Sequence, residues 1–269
     1  MKACIVLSLV ALSATALLVI AGCTAERQDR PAVVASTSMI AAIVEEIAGT
    51  SVDVTVIVPA GMCPGHFDIK PRQMEAIERA DLFICHGWEP WLSKVAESTA
   101  EGVEVVRVEI EGNWMVPDLH VEAVRWIGGL LVILDPANED RYEERALRYE
   151  NQVLRELQAT CTALSRFQGS GVICSELQAD FLSWVGLDIL GTYGRTEDLA
   201  PRTMEHLIEV GKRMAIRLVV DNLQSGPDIG RRIAEETGAT HVVLTNFPVD
   251  GSYTKALRMN VKALEDALR

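Results

Sequence analysis

Short apolar runs alternate with amphipathic stretches along most of the chain. Residues 32–35 read as a strand, and Ser36, Thr37 and Ser38 offer cap chemistry for a helix over 39–48 that Gly49 ends. Further strands are predicted over 52–58, 81–85 and 103–108, with helices over 71–79 and 91–98 between them. Asp135 and Pro136 then open a long helix, with Asp135 as cap and Pro136 at its first position. Its apolar stripe, Tyr142, Ala146, Tyr149, Val153, Leu157, Cys161 and Leu164, recurs at three or four residues, and no Gly or Pro intervenes before Gly169. The second half repeats the alternation: strands over 172–174, 188–190, 218–220 and 242–244, helices over 179–185, 203–215, 228–237 and 253–268.

Apolar strands alternating with helices imply parallel sheets covered on both faces. The predicted fold class is therefore α/β: two similar parallel-sheet lobes joined by one long rigid helix, with a ligand cleft between them. The divisions are an N-terminal lobe over 32–134, the linking helix over 135–167 and a C-terminal lobe over 168–269. Ligands of such folds sit beyond the carboxyl ends of the strands.

The N-terminus follows different rules. Lys2 precedes an apolar run over 5–21, which ends in Leu18-Val19-Ile20-Ala21-Gly22-Cys23. A basic start, an apolar core and small residues before a cysteine form an export signal over 1–22, similar to the lipobox of bacterial lipoproteins. Cys23 is then the lipidation site and 23–31 a polar tether, so the mature chain is expected on the outer face of the cytoplasmic membrane. An uncleaved membrane anchor is the competing reading, given the length of the run.

With 38 acidic and 25 basic residues the formal charge is −13, which disfavours nucleic acid and suits cations. Apolar residues make up 49% of the chain, enough for a sizeable core. Beyond Cys4 and Cys23 the remaining cysteines, Cys63, Cys85, Cys161 and Cys174, are scattered without a Cys-x-x-Cys pair. Cys85 and Cys174 fall in apolar runs and read as buried free thiols.

Four strand ends carry a nitrogen or oxygen donor. His66 lies in the Pro- and Gly-rich loop after the second strand, and His120 lies beyond a strand near a helix start. Glu176 follows the strand at 172–174, and Asn246 and Asp250 follow that at 242–244. Imidazole and carboxylate donors from separate strand ends suit one divalent cation. The bland alternatives are a solvent-facing histidine, a capping acid at Glu176 and a turn residue at Asp250. His86 reads as lying behind the site or on the surface, and Trp88, Trp91 and Trp114 as packing residues.

At these residues the chain resembles the metal-binding subunits of ABC importers for zinc, manganese or iron, the ZnuA/TroA-like solute-binding proteins. A Pro-x-Gly-x-x-x-His element is similar to Pro59–His66 with one extra residue, and an Ala-Asp-Leu strand to Ala80-Asp81-Leu82. An Asp-Pro-His element resembles Asp118-Leu119-His120, and a Tyr-x-x-x-x-x-x-Asn helix is similar to Tyr253 through Asn260. The resemblance implies a captured divalent ion (zinc, manganese or iron) held by His66, His120, Glu176 and Asp250, with Asn246 and Asp221 as other candidates for the fourth position. At the third, the spacing is one residue short and leaves Ser175 and Gln178 open. It implies delivery to an ABC transporter permease by a monomer that is not an enzyme. A His-rich loop between the first two ligands is missing here. The competing functions are a binding lobe for an organic or chelated ligand, a metal-dependent hydrolase with Glu122 or Asp68 as base, and a metal-free partner-binding lobe.

Overall fold

The computed structural model describes residues 30–98, 103–195, 199–226 and 228–269. The export segment and Cys23 lie outside these residues, and all elements below belong to one compact unit, Pro31–Arg269.

The first sheet contains β1 (Ala32–Thr37), β2 (Asp53–Val58), β3 (Leu82–Cys85) and β4 (Glu104–Arg107), in the order β2-β1-β3-β4. The second contains β5 (Gly171–Ser175), β6 (Asp188–Tyr193), β7 (Leu218–Asn222) and β8 (Thr240–Leu244), in the order β6-β5-β7-β8. All pairings are parallel. The two lobes thus share one winding, as the alternating pattern predicts.

Side chains leave opposite faces of each strand in turn, so a strand covered on both sides must be apolar throughout. Val33, Ala35, Leu82 and Ile84 enter one core, whereas Val34, Phe83 and Cys85 enter another on the reverse face. In the second lobe Val172, Cys174, Leu218 and Val220 join the first core, and Ile173 and Val219 a third. That shared core runs without interruption from the inner face of one sheet to the inner face of the other.

The N-lobe helices are α1 (Ser38–Ala48), α2 (Pro71–Glu78), α3 (Leu92–Ser98) and α4 (Pro117–Leu134). After one tight turn at Pro136–Asn138 comes α5 (Glu139–Leu164), followed by α6 (Ala179–Trp184), α7 (Pro201–Met214), α8 (Asp228–Thr237) and α9 (Tyr253–Leu268). The long helix α5 is tied to both lobes. Arg145 donates to the carbonyls of Glu46 (Nη2, 2.6 Å) and Ile47 (Nε, 2.7 Å), satisfying the carbonyl end of α1 with a cation. Arg258 of α9 pairs with Glu156 at the other end of α5.

Three local expectations change. Helix α4 occupies a stretch for which the pattern marks only a helix start near His120, and Gly128 within it lets Ala146 of α5 approach closely: a β-carbon there would lie 3.5 Å from that of Ala146. Cys161 points to solvent, and Thr160 takes its place in the buried stripe of α5. Thr37 precedes α1 but makes no side-chain cap, because its hydroxyl is engaged by His86 instead. The four described cysteines are free, and burial pushes the thiols of Cys85 and Cys174 up to about 12.

Candidate metal centre

A cavity of about 390 Å³ lies between the lobes, and the loop beyond every one of the eight strands contributes to it. From the first lobe come Met39 after β1, Cys63 and Gly65 after β2, His86 and Trp88 after β3, and Gly112, Asn113 and Trp114 after β4. The second lobe supplies Glu176 and Asp180 after β5, Arg195 after β6, Asn222 and Gln224 at the end of β7, and Asn246 and Phe247 after β8. Two parallel sheets facing each other with their carboxyl ends produce this convergence from residues scattered over the sequence.

Hydrogen bonds join the lobes around the cavity. Asn113 donates its backbone N–H to Asp180 Oδ2 (3.1 Å) and its side-chain Nδ2 to Leu177 O and Asn246 Oδ1 (3.0 Å each). Gln224 Nε2 donates to Ala60 O at 2.9 Å, and Arg195 donates to Cys63 Sγ at 2.6 Å. Asn246 Oδ1 also accepts from Gln178 Nε2 at 2.8 Å, so its oxygen already has two donors. Asn246 is a tie between lobes in this arrangement. Glu176 differs: among the described residues its exposed carboxylate has no hydrogen-bond partner.

His86 is buried, its Nε2 3.0 Å from Thr37 Oγ1 and its ring stacked near Trp88 and edge-on to Trp114 at a 4.3 Å centroid distance. Glu89 fixes this loop by accepting from the backbone N–H groups of His86 (3.0 Å) and Gly87 (2.8 Å). Burial holds the His86 imidazole neutral, lowering its pKa to about 4 against the opposing pull of Glu89.

The six sequence-predicted metal donors do not meet. Glu176 and Asn246 line the cavity, but His66, His120, Asp221 and Asp250 do not. Among the described residues no group of three or more His, Cys, Asp or Glu side chains is placed to hold a metal ion. His66 closes a tight turn over Pro64–His66, in which successive side chains are rotated by about 120°. The one extra residue of that loop therefore puts Gly65 at the cavity and His66 on the exposed side. His120 falls on the buried stripe of α4 with Val124, Ile127 and Leu131. It is fully enclosed, stacked on Tyr253 at 3.5 Å with its Nε2 2.9 Å from Tyr149 Oη. Asp221 is buried behind the cavity, accepting from Tyr193 Oη at 2.8 Å and lying 2.7 Å from His241 Nε2. Asp250 is exposed and paired with Lys255, which holds its carboxyl below the usual range.

Trp88 walls the cavity, Trp114 both lines it and packs in the shared core, and Trp91 packs against Phe67 and Phe83 in the reverse core, so packing describes two of the three. His86 was legible as a strand-end residue, the same signal that marks Glu176. Arg195 carried no motif and only the convergence of loops identifies it.

The Tyr253-to-Asn260 element acquires a structural meaning. Tyr253 Oη donates to Met115 O at 3.1 Å, across the lobes. Asn260 accepts from Thr245 N (3.0 Å) and donates to Thr245 O (2.8 Å), pinning the backbone next to Asn246. Asn260→Ala leaves a buried N–H and a buried carbonyl unmet, an expected loss of about 2–4 kcal/mol in urea unfolding.

A profile of the family described as zinc-uptake complex component A, periplasmic, matches residues 33–267. The manganese-binding lipoprotein MntA of Halalkalibacterium halodurans is 27% identical over 230 residues, covering 75% of this chain and 76% of that protein. The manganese ABC transporter substrate-binding lipoprotein PsaA of Streptococcus anginosus is 26% identical over 146 residues, 45% of this chain and 47% of that protein. The match therefore spans about half the length of the streptococcal relative. The solved structure of a Mn-bound periplasmic metal-binding protein from Candidatus Liberibacter asiaticus superposes with a TM-score of 0.79 at 20% identity, covering 89% of this chain and 100% of that one. At that identity the likeness establishes the fold.

Proposed function

The chain belongs to the zinc-uptake complex component A family, and from that premise we infer that it captures a divalent transition metal outside the cytoplasm and delivers it to an ABC permease. The observation that carries the reading is Glu176: a carboxylate at a strand end, in the cavity between the lobes, with no partner among the described residues. A carboxylate so placed is answered by a cation from solution. Relatives named for manganese support the cargo class, and zinc, manganese and iron are the candidates. The net charge of −13 favours approach of a cation.

Glu176 is the principal protein donor in this reading. His66, His120, Asp221 and Asp250 are assigned other roles: a solvent-facing loop residue, a core residue, a buried hydrogen-bond partner and a surface ion pair. Lipid on Cys23 holds the protein at the membrane, where the permease is its partner. Binding and release, without bond-breaking chemistry, are its work. The continuous core between the lobes and the ties at Asn113 and Tyr253 limit lobe movement, so release depends on the loops at the cavity.

The test is elemental analysis and calorimetry of the purified protein against manganese, zinc and ferrous iron. Saturable uptake near one ion per chain is expected. Metal content at buffer level, with no heat from any of the three ions either alone or with small carboxylate chelators present, would sink the reading.

A further inference from the structure

The cavity offers more than a cation requires. A metal ion with donors at 2.0–2.3 Å fills a sphere of roughly 50 Å³, whereas the space between the lobes is about 390 Å³, the size of a small-molecule pocket. Its electrostatics are of two signs. Glu176 presents a negative charge, and Arg195 a positive one whose guanidinium donates to Cys63 Sγ and forms no ion pair among the described residues. Asn222 adds a second donor. Its side chain is fully buried, and its Oδ1 accepts from Ser225 N (3.1 Å) and Oγ (3.2 Å). Those bonds fix the orientation of the amide and leave Nδ2 as a buried N–H2 group on the wall of the cavity with no partner among the described residues. Unsatisfied buried donors are costly and mark places where a ligand acceptor belongs. Trp88, Trp114 and Phe247 add flat apolar surface to the same lining.

A bare cation satisfies Glu176 and is repelled by Arg195; a bare anion meets the reverse. One object that presents both a metal and carboxylate oxygens satisfies both. Resting on the capture reading above, we propose that this protein takes its metal as a complex with a small organic carboxylate, the metal bound to Glu176 and the anion to Arg195 and Asn222. Docking exchanges one water on the complexed metal for a Glu176 oxygen, with no change of oxidation state. The aromatic walls cover the carbon skeleton of the chelator, and the complex completes the metal's coordination with its own oxygens and nitrogens. This accounts for a cavity that gathers few protein ligands around any one point.

Calorimetry on the purified protein, with manganese alone, zinc alone, citrate alone, histidine alone and the 1:1 complexes of each metal with citrate or histidine, tests this. At least one complex should bind tenfold or more tighter than its metal and its chelator separately. Arg195→Gln should cut the affinity for that complex about tenfold or more, and Arg195→Lys, which keeps the charge, should restore part of it; thermal melting checks that both variants fold. If the metal alone binds as tightly as any complex, the chelate proposal falls and the capture of a bare ion stands. Citrate or histidine binding equally well without metal overturns the proposal together with the metal reading. Failure of every probe does the same.

Discussion

Glu176→Ala is expected to lower affinity for the metal cargo by at least about 100-fold, some 2.7 kcal/mol. Two unit charges 4 Å apart at an effective dielectric of about 20 attract by about 4 kcal/mol, and a divalent ion in contact with a carboxylate exceeds that before desolvation is subtracted. The loss should appear as a weaker Kd in calorimetry with no change in melting temperature of the metal-free protein, because the carboxylate has no partner among the described residues to lose. Glu176→Gln should recover little, since the amide keeps the shape and loses the charge. His66→Ala and Asp250→Ala serve as controls: one side chain is exposed beside the cavity and the other is paired with Lys255 at the surface. Both should bind as the parent does. A large loss in His66→Ala with none in Glu176→Ala would return the ligand assignment to the histidine loop.

That contrast shows where reading along the chain succeeds. The lobes were legible because a parallel sheet buried on both faces imposes continuous apolar strands, such as Leu82–Cys85 and Leu218–Val220, between amphipathic helices. Helix α4 was not, because Val121–Leu134 is apolar nearly all round and holds Gly128 and Gly129, which erase the 3.6-residue stripe. The strand-end position brings Glu176 to the cavity, and it brings His86 and Arg195 there as well, which carry no motif to draw attention to them. Residue type and approximate spacing do not give the placement that the histidines take. A single extra residue in a tight turn rotates His66 out of the cavity, and three residues past Pro117 put His120 on the core face of α4. Type and approximate spacing survive such shifts; the direction of a side chain does not.

His120 carries a consequence for acid stability. Its imidazole is fully buried between Tyr149 and Tyr253, its Nδ1 has no partner among the described residues, and burial lowers its pKa to about 3 from the 6.5 of an open imidazole. Above pH 6.5 both folded and unfolded chains keep it neutral, so it contributes no pH dependence there. Below pH 6.5 the unfolded chain binds a proton that the folded chain refuses until near pH 3, so acid favours unfolding. Each pH unit in that window costs about 1.4 kcal/mol, and His86, lowered to about 4, adds its own slope from 6.5 to 4. Two buried imidazoles therefore remove on the order of 5 kcal/mol between pH 6.5 and pH 4.5, comparable with the whole stability of many domains. His120→Phe keeps a flat ring against Tyr253 and removes one titration, at the cost of the Tyr149 hydroxyl's partner, about 1 kcal/mol. Urea unfolding at a series of pH values should then give two lines that cross. The parent is the more stable at pH 7.5, His120→Phe is the more stable at pH 4.5, and the slope of the variant is smaller by one proton. Parallel lines would mean that His120 takes up its proton in the folded protein as readily as in the unfolded one, and the enclosed, neutral imidazole between the two tyrosines would have to be given up.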